Sequence, residues 1–114
     1  MRTFNHIGLP STEPRPGELF VPETRVWVTR PNDHPMRIEH LRYEPDSPVT
    51  GPLRDQPHIA FQVDDLEREI EGEEVLLPPF EAVPGLHVTF ILKDGAVWEF
   101  MRFDEGHHAD GFLP

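Results

Sequence analysis

PHIAFQVDDLEREIEG, residues 57–72, changes its periodicity partway along. From His58 to Val63 branched and aromatic residues alternate with other side chains in the two-residue period of a strand. Asp64 or Asp65 then offers an N-cap to LEREIEG, a helix of about two turns that Gly72 stops. On the strand His58, Ala60 and Gln62 share one face and Ile59, Phe61 and Val63 the other, and the apolar set is expected to cover the core.

Downstream, EEVLLPPFEAVPG reads as irregular or edge-like because of its prolines. LHVTFIL (86–92), KDG and AVWEFMRF (96–103) form a hairpin, since Asp-Gly between apolar runs is a strong turn signal. Upstream, PDSPVTGPLRDQP (45–57) is a connecting loop, preceded by TRVWVTR (24–30) and MRIEHLRYE (36–44) as another hairpin. TFNHIGL (3–9) is a first strand, followed by the proline-rich PSTEPRPGE. The order is strand, gap, hairpin, then strand, helix, irregular piece, hairpin: one plan written twice. A single domain spans residues 1–104, with module 1 at about 3–44 and module 2 at about 57–103, and residues 105–114 are expected to be a flexible tail.

The repeat aligns NHIGLP with PHIAFQ, setting His6 against His58, and RIEHLRYE (37–44) with VWEFMRFD (97–104), setting Glu39 against Glu99. His6 and Glu39 lie 33 residues apart and His58 and Glu99 lie 41 apart, a difference ascribed to a helix that the first half lacks. Gly8 and Ala60 leave space on the histidine faces. Glu39 shares its face with Leu41 and Tyr43, and Glu99 with Val97, Met101 and Phe103, so both carboxylates look into a partly apolar space. Close carboxylates of low solvation repel one another, and a divalent cation removes that repulsion. Two imidazoles and two carboxylates suit nickel, cobalt, zinc, manganese or iron. A lone strand histidine is more often packed than ligating; here two recur at equivalent positions, each matched by a glutamate. His34, His40, His107 and His108 read as surface residues, and alternation could bring His87 to a cavity rim. Trp27, Tyr43, Trp98, Phe100 and Met101 are candidate pocket walls or core, with Trp98 and Phe100 facing away from Glu99.

The bulk properties narrow the function. A net charge of −11, from 21 acids against 10 bases, with no cluster of Lys and Arg along the chain, argues against nucleic acid or an anionic membrane as partner. The absence of cysteine excludes disulfides, thiolate ligands and cysteine nucleophiles. No apolar run reaches the roughly 18 residues of a membrane span, and the N-terminus lacks a signal peptide's apolar core, so a cytoplasmic protein is expected. Fourteen prolines rule out a bundle of long helices.

A duplicated strand, helix and three-strand unit opening on HIGL in one half and PHIAFQVDDLE in the other resembles the vicinal oxygen chelate superfamily, over roughly residues 3–103. That superfamily includes glyoxalase I, extradiol dioxygenases, methylmalonyl-CoA epimerase and fosfomycin-resistance proteins. The resemblance implies an α+β fold of paired βαβββ modules in a cupped mixed sheet, with the module 1 helix reduced or absent because STEPRPGELF is too short and proline-interrupted. It implies a divalent metal held by His6, Glu39, His58 and Glu99, with Glu39 the ligand that three-ligand members lack. It implies a glyoxalase-like lyase or isomerase that works on a small vicinal-oxygen substrate through an enediolate-type intermediate, with Glu99 and Glu39 as candidate bases. The alternatives are a small-molecule sequestering protein like the bleomycin-binding ones and, ranked lower, a ring-cleaving dioxygenase. Glyoxalase I grips glutathione through an Arg and an Asn near its ligands, where this chain has HIGLP and EHLRY, and few basic residues remain for a coenzyme A or phosphonate tail. A helix-poor flank and open sheet edges imply a homodimer.

Overall fold

The computed structural model describes residues 1–106 and Phe112. Eight strands build one mixed sheet: β1 (Thr3–Pro10), β2 (Leu19–Val21), β3 (Val26–Val28), β4 (Ile38–Tyr43), β5 (His58–Gln62), β6 (Glu74–Val83), β7 (Leu86–Lys93) and β8 (Ala96–Phe103). Their order across the sheet is β2-β3-β4-β1-β5-β8-β7-β6, so each module contributes four adjacent strands and the halves meet where β1 pairs antiparallel with β5. Within each module the first strand runs parallel to the last, β1 with β4 and β5 with β8. The duplicated plan is thus realised as a sheet with approximate two-fold symmetry about the β1–β5 seam.

The sheet curls until its ends share one core. Val21, Val26, Val28 and Leu41 of module 1 join Leu86, Val88, Phe90, Val97 and Met101 of module 2 in a single buried cluster on the concave side. Each such side chain, fully buried, stabilises by about 1.5–3 kcal/mol relative to exposure. The expected assignment of faces on β5 is reversed in weight: His58 and Ala60 face this main core, while Ile59 and Phe61 are half-buried on the outside. The outer face of module 2 carries a smaller cluster, Val63, Leu66, Ile91 and Phe100, with Phe61, Ile70 and Trp98 packed against it. Trp98 and Phe100 therefore lie away from Glu99, as their register requires.

Helices are sparse. The helix expected after β5 is a single turn, α2 (Leu66–Glu69), rather than two; the Asp65 side chain accepts from the Arg68 backbone N–H at 3.2 Å and caps it. A second one-turn helix, α1 (Pro52–Asp55), lies in the intermodule loop. No helix lies between β1 and β2. Since α2 is so short, the unequal His-to-Glu spacing owes as much to β6, ten residues against three in β2. The proline-containing segment expected to be irregular or edge-like is the edge strand β6, whose register against β7 shifts at three places, one of them spanning Pro78 and Pro79. Missing N–H donors are tolerated there because an edge strand needs only one partner. Strand β2 was not expected; it pairs with β3 to complete the three-strand run of module 1. At the β7–β8 hairpin Asp94 and Gly95 have φ of 55° and 76°, the paired positive values of a tight two-residue turn. No helix among the described residues is long and apolar enough to cross a membrane.

Candidate metal centre

Two rows of cross-strand neighbours carry the site. In one, Glu39 on β4 pairs with Gly8 on β1, and Gly8 with His58 on β5. In the other, His6 on β1 pairs with Ala60 on β5, and Ala60 with Glu99 on β8. The rows are related by the seam between modules, and each places a small residue between an imidazole and a carboxylate. A Cβ at Gly8 would stand 2.0 Å from the nearest His58 ring atom, so the histidine lies over bare backbone there.

All four expected ligands are buried and converge: one ligand atom from each of His6, Glu39, His58 and Glu99 lies within 4.8 Å of the others. His6 Nε2 is 3.3 Å from Glu39 Oε1 and 3.2 Å from Glu99 Oε1. His58 Nε2 is 3.6 and 3.0 Å from the same oxygens. None of these approaches has hydrogen-bond geometry, so the two buried ring nitrogens face the carboxylate oxygens at ion-pair distance alone.

The orientation of His6 is set by its neighbour Asn5, which unbroken strand alternation would put on the opposite face. Asn5 is fully buried, because the β1–β5 register shifts between Phe4 and His6 and brings it inward. Its Nδ2 donates to the Phe112 carbonyl at 2.7 Å, and its Oδ1 lies 2.7 Å from His6 Nδ1. A carbonyl can only accept, so the amide must present Nδ2 to Phe112 and Oδ1 to His6. Nδ1 of His6 then carries a proton in either charge state of the ring, and it is the Nε2 proton that a cation would displace to expose a lone pair toward the carboxylates. The Nδ1–H tautomer left behind is the one a metal requires, fixed by an outer partner. Phe112, from the segment expected to be a mobile tail, is 4% exposed, with its ring 6.2 Å from that of His6. His107 and His108 lie outside the described residues.

Electrostatics match this geometry. Burial alone would lower the pKa of His6, but the carboxylates of Glu39 and Glu99 more than offset it and raise it to about 10. Burial would raise Glu99, and His58 and His6 instead hold it well below the usual carboxylate range. The phenol of Tyr43 is pushed up by burial and by the two glutamates. Two imidazoles and two carboxylates brought together in this way could hold a divalent metal ion.

Glu39 and Glu99 also line a cavity of about 50 Å³, walled by aliphatic and aromatic side chains that include Val28, Leu41, Tyr43, Phe90 and Phe112. Met101 is fully buried in the concave core, and Trp27 faces outward, donating to Glu44 at 3.2 Å. His34 and His40 are half-buried rather than freely exposed, with ring centroids 6.4 Å apart. His87 does not reach the cavity: Leu86, Val88 and Phe90 occupy that face of β7, and His87 Nε2 meets Asp104 outside at 3.2 Å.

No family model and no curated protein matches the chain. Among solved structures it is similar to the crystal structure of a hypothetical protein, BH1468 from Bacillus halodurans C-125, with a TM-score of 0.70 and 20% identity, covering 95% of this chain and 99% of that one. At that identity the likeness concerns the fold alone.

Proposed function

We propose that the protein is a metal-dependent lyase or isomerase of the vicinal oxygen chelate type, transferring a proton at the carbon beside two neighbouring oxygens of a small substrate. The observation that carries this reading is the pair of buried imidazole nitrogens facing two carboxylates at the wall of a cavity. His6 and His58 would hold the ion through Nε2, with Glu39 and Glu99 completing the set. A bound divalent ion of nickel, cobalt, zinc, manganese or iron supplies Lewis acidity toward the vicinal oxygens.

The chain's own residues account for the rest. Asn5 keeps the proton of neutral His6 on Nδ1. Glu99, with Glu39 as the second candidate, would accept the substrate proton at the cavity wall on moving away from the imidazoles that hold its carboxyl low. The apolar walls restrict water and favour a compact substrate. A homodimer belongs to this reading: the outer face of module 1, where Phe4 is 44% exposed, has no equivalent of the cluster under α2.

The test is elemental analysis of untagged protein together with solvent deuterium exchange into α-hydroxy carbonyl compounds, followed by NMR. One ion per chain, lost in both His58→Ala and Glu99→Ala, and metal-dependent exchange lost in Glu99→Gln, are expected. Metal-free protein that binds small molecules equally well with and without added cations would replace the enzyme by a sequestering module.

A further inference from the structure

The metal cavity shares two wall residues, Leu41 and Tyr43, with an open cleft of about 610 Å³. Along β4 the side chains of Glu39, Leu41 and Tyr43 follow one another on one face, so they mark a path from the metal centre into that cleft. The cleft lies beside the chain between β1 and β2, where module 1 has no helix, and two of its wall residues are cations, Arg15 and Arg54.

Arg54 is held in an unusual way for this chain. Arg2, Arg25, Arg42, Lys93 and Arg102 each pair with a carboxylate. Arg54 instead lies 5.4 Å from the centroid of the Tyr43 ring and donates to the carbonyls of Val49 and Glu44 at 3.3 and 3.4 Å, the long end of hydrogen bonding. Leu53, 4% exposed and itself a wall of the metal cavity, anchors α1 beneath it. In a protein of net charge −11, a fixed guanidinium with no carboxylate partner among the described residues has N–H groups to offer an incoming anion.

Building on the metal-centre reading, we propose that this cleft is a second subsite, in which Arg54, seconded by Arg15, receives a single carboxylate or phosphate at the far end of the substrate. The planar fork of Arg54 suits either anion, and Glu13 and Asp55 on the same walls confine recognition to a group small enough to reach that fork. Anchoring the remote end fixes the reacting carbon against Glu39 and Glu99, which turns binding into orientation. Coenzyme A and glutathione, with several charged or polar groups each, find no comparable set of cations here.

Straight-chain hydroxamates provide the probe, since their paired oxygens chelate divalent ions. Calorimetry would compare acetohydroxamate with chains of graded length ending in methyl, carboxylate or phosphate, on the metal-loaded full chain. At one length the anionic ending is expected to bind about tenfold tighter than methyl, as a charge-assisted contact in a partly solvated cleft implies. That preference should vanish in Arg54→Gln, shrink in Arg15→Gln and weaken with salt, while acetohydroxamate binds all three proteins alike. Carboxylate or phosphate, whichever gains more, names the anion. No anionic preference at any length, or one that survives Arg54→Gln, overturns the subsite; failure of acetohydroxamate itself to bind the loaded protein overturns the metal centre and the subsite with it.

Discussion

Asn5 and Gly8 add no atom to the His6, Glu39, His58 and Glu99 cluster, yet each decides what a histidine does. Replacing Asn5 with Leu removes the acceptor of His6 Nδ1–H. Metal affinity is expected to fall about 10–100-fold with the fold retained, while Asn5→Asp recovers most of it; competition with a chelator measures both. Gly8→Ala drives a methyl into the His58 ring. A cost of about 1–3 kcal/mol in chemical denaturation is expected together with loss of stoichiometric metal binding, and a normal metal content would show that His58 can step aside. The titrating groups set a further expectation for metal-free protein. His6, raised from 6.5 to about 10, contributes stability that is complete below its unfolded value and fades as pH rises through the folded one. Glu99, lowered from 4.5, contributes stability that is complete above that value and fades on acidification. Metal-free protein should therefore be most resistant to urea between about pH 4.5 and 6.5 and weaken toward pH 10. A midpoint that rises over that alkaline range would contradict the cluster's charge state.

Among the elements, turns and periodicity carried most of the legible signal. The Asp94-Gly95 turn adopts the conformation that its sequence announces, and Gly95→Ala is expected to cost about 1 kcal/mol because φ there is 76°. Strands bearing His6, Glu39, His58 and Glu99 were readable because two faces of unlike character alternate along them and recur in both halves. What escaped did so for local reasons. LFV at 19–21 is too short to show a period and becomes a strand only through pairing with VWV. Leu77 to Phe80 contains two prolines that argue against a strand, and only the edge position of β6 makes them acceptable. Asn5 drew no notice in the sequence because a bulge breaks alternation without leaving a mark there. Phe112 was hidden in a polar terminal segment, its partner lying more than a hundred residues away.

At the scale of the molecule the symmetry is incomplete. Module 2 covers its outer face with α2, and module 1 leaves Phe4, Ile7 and Leu9 on β1 partly or largely exposed. Sedimentation at micromolar concentration is expected to show a dimer, with Phe4→Glu shifting it to monomer; wild-type protein that stays monomeric would mean that the bare flank is simply solvated. The two-row arrangement of the ligands has another outcome. Each carboxylate–imidazole row draws on both modules, so neither half of the chain, expressed as a separate polypeptide, owns a complete donor set. Fragments cut in the loop near Gly51, which share the β1–β5 seam and one apolar core, should therefore reassemble more tightly when a divalent ion is supplied than in chelator, the cation serving as an added clasp.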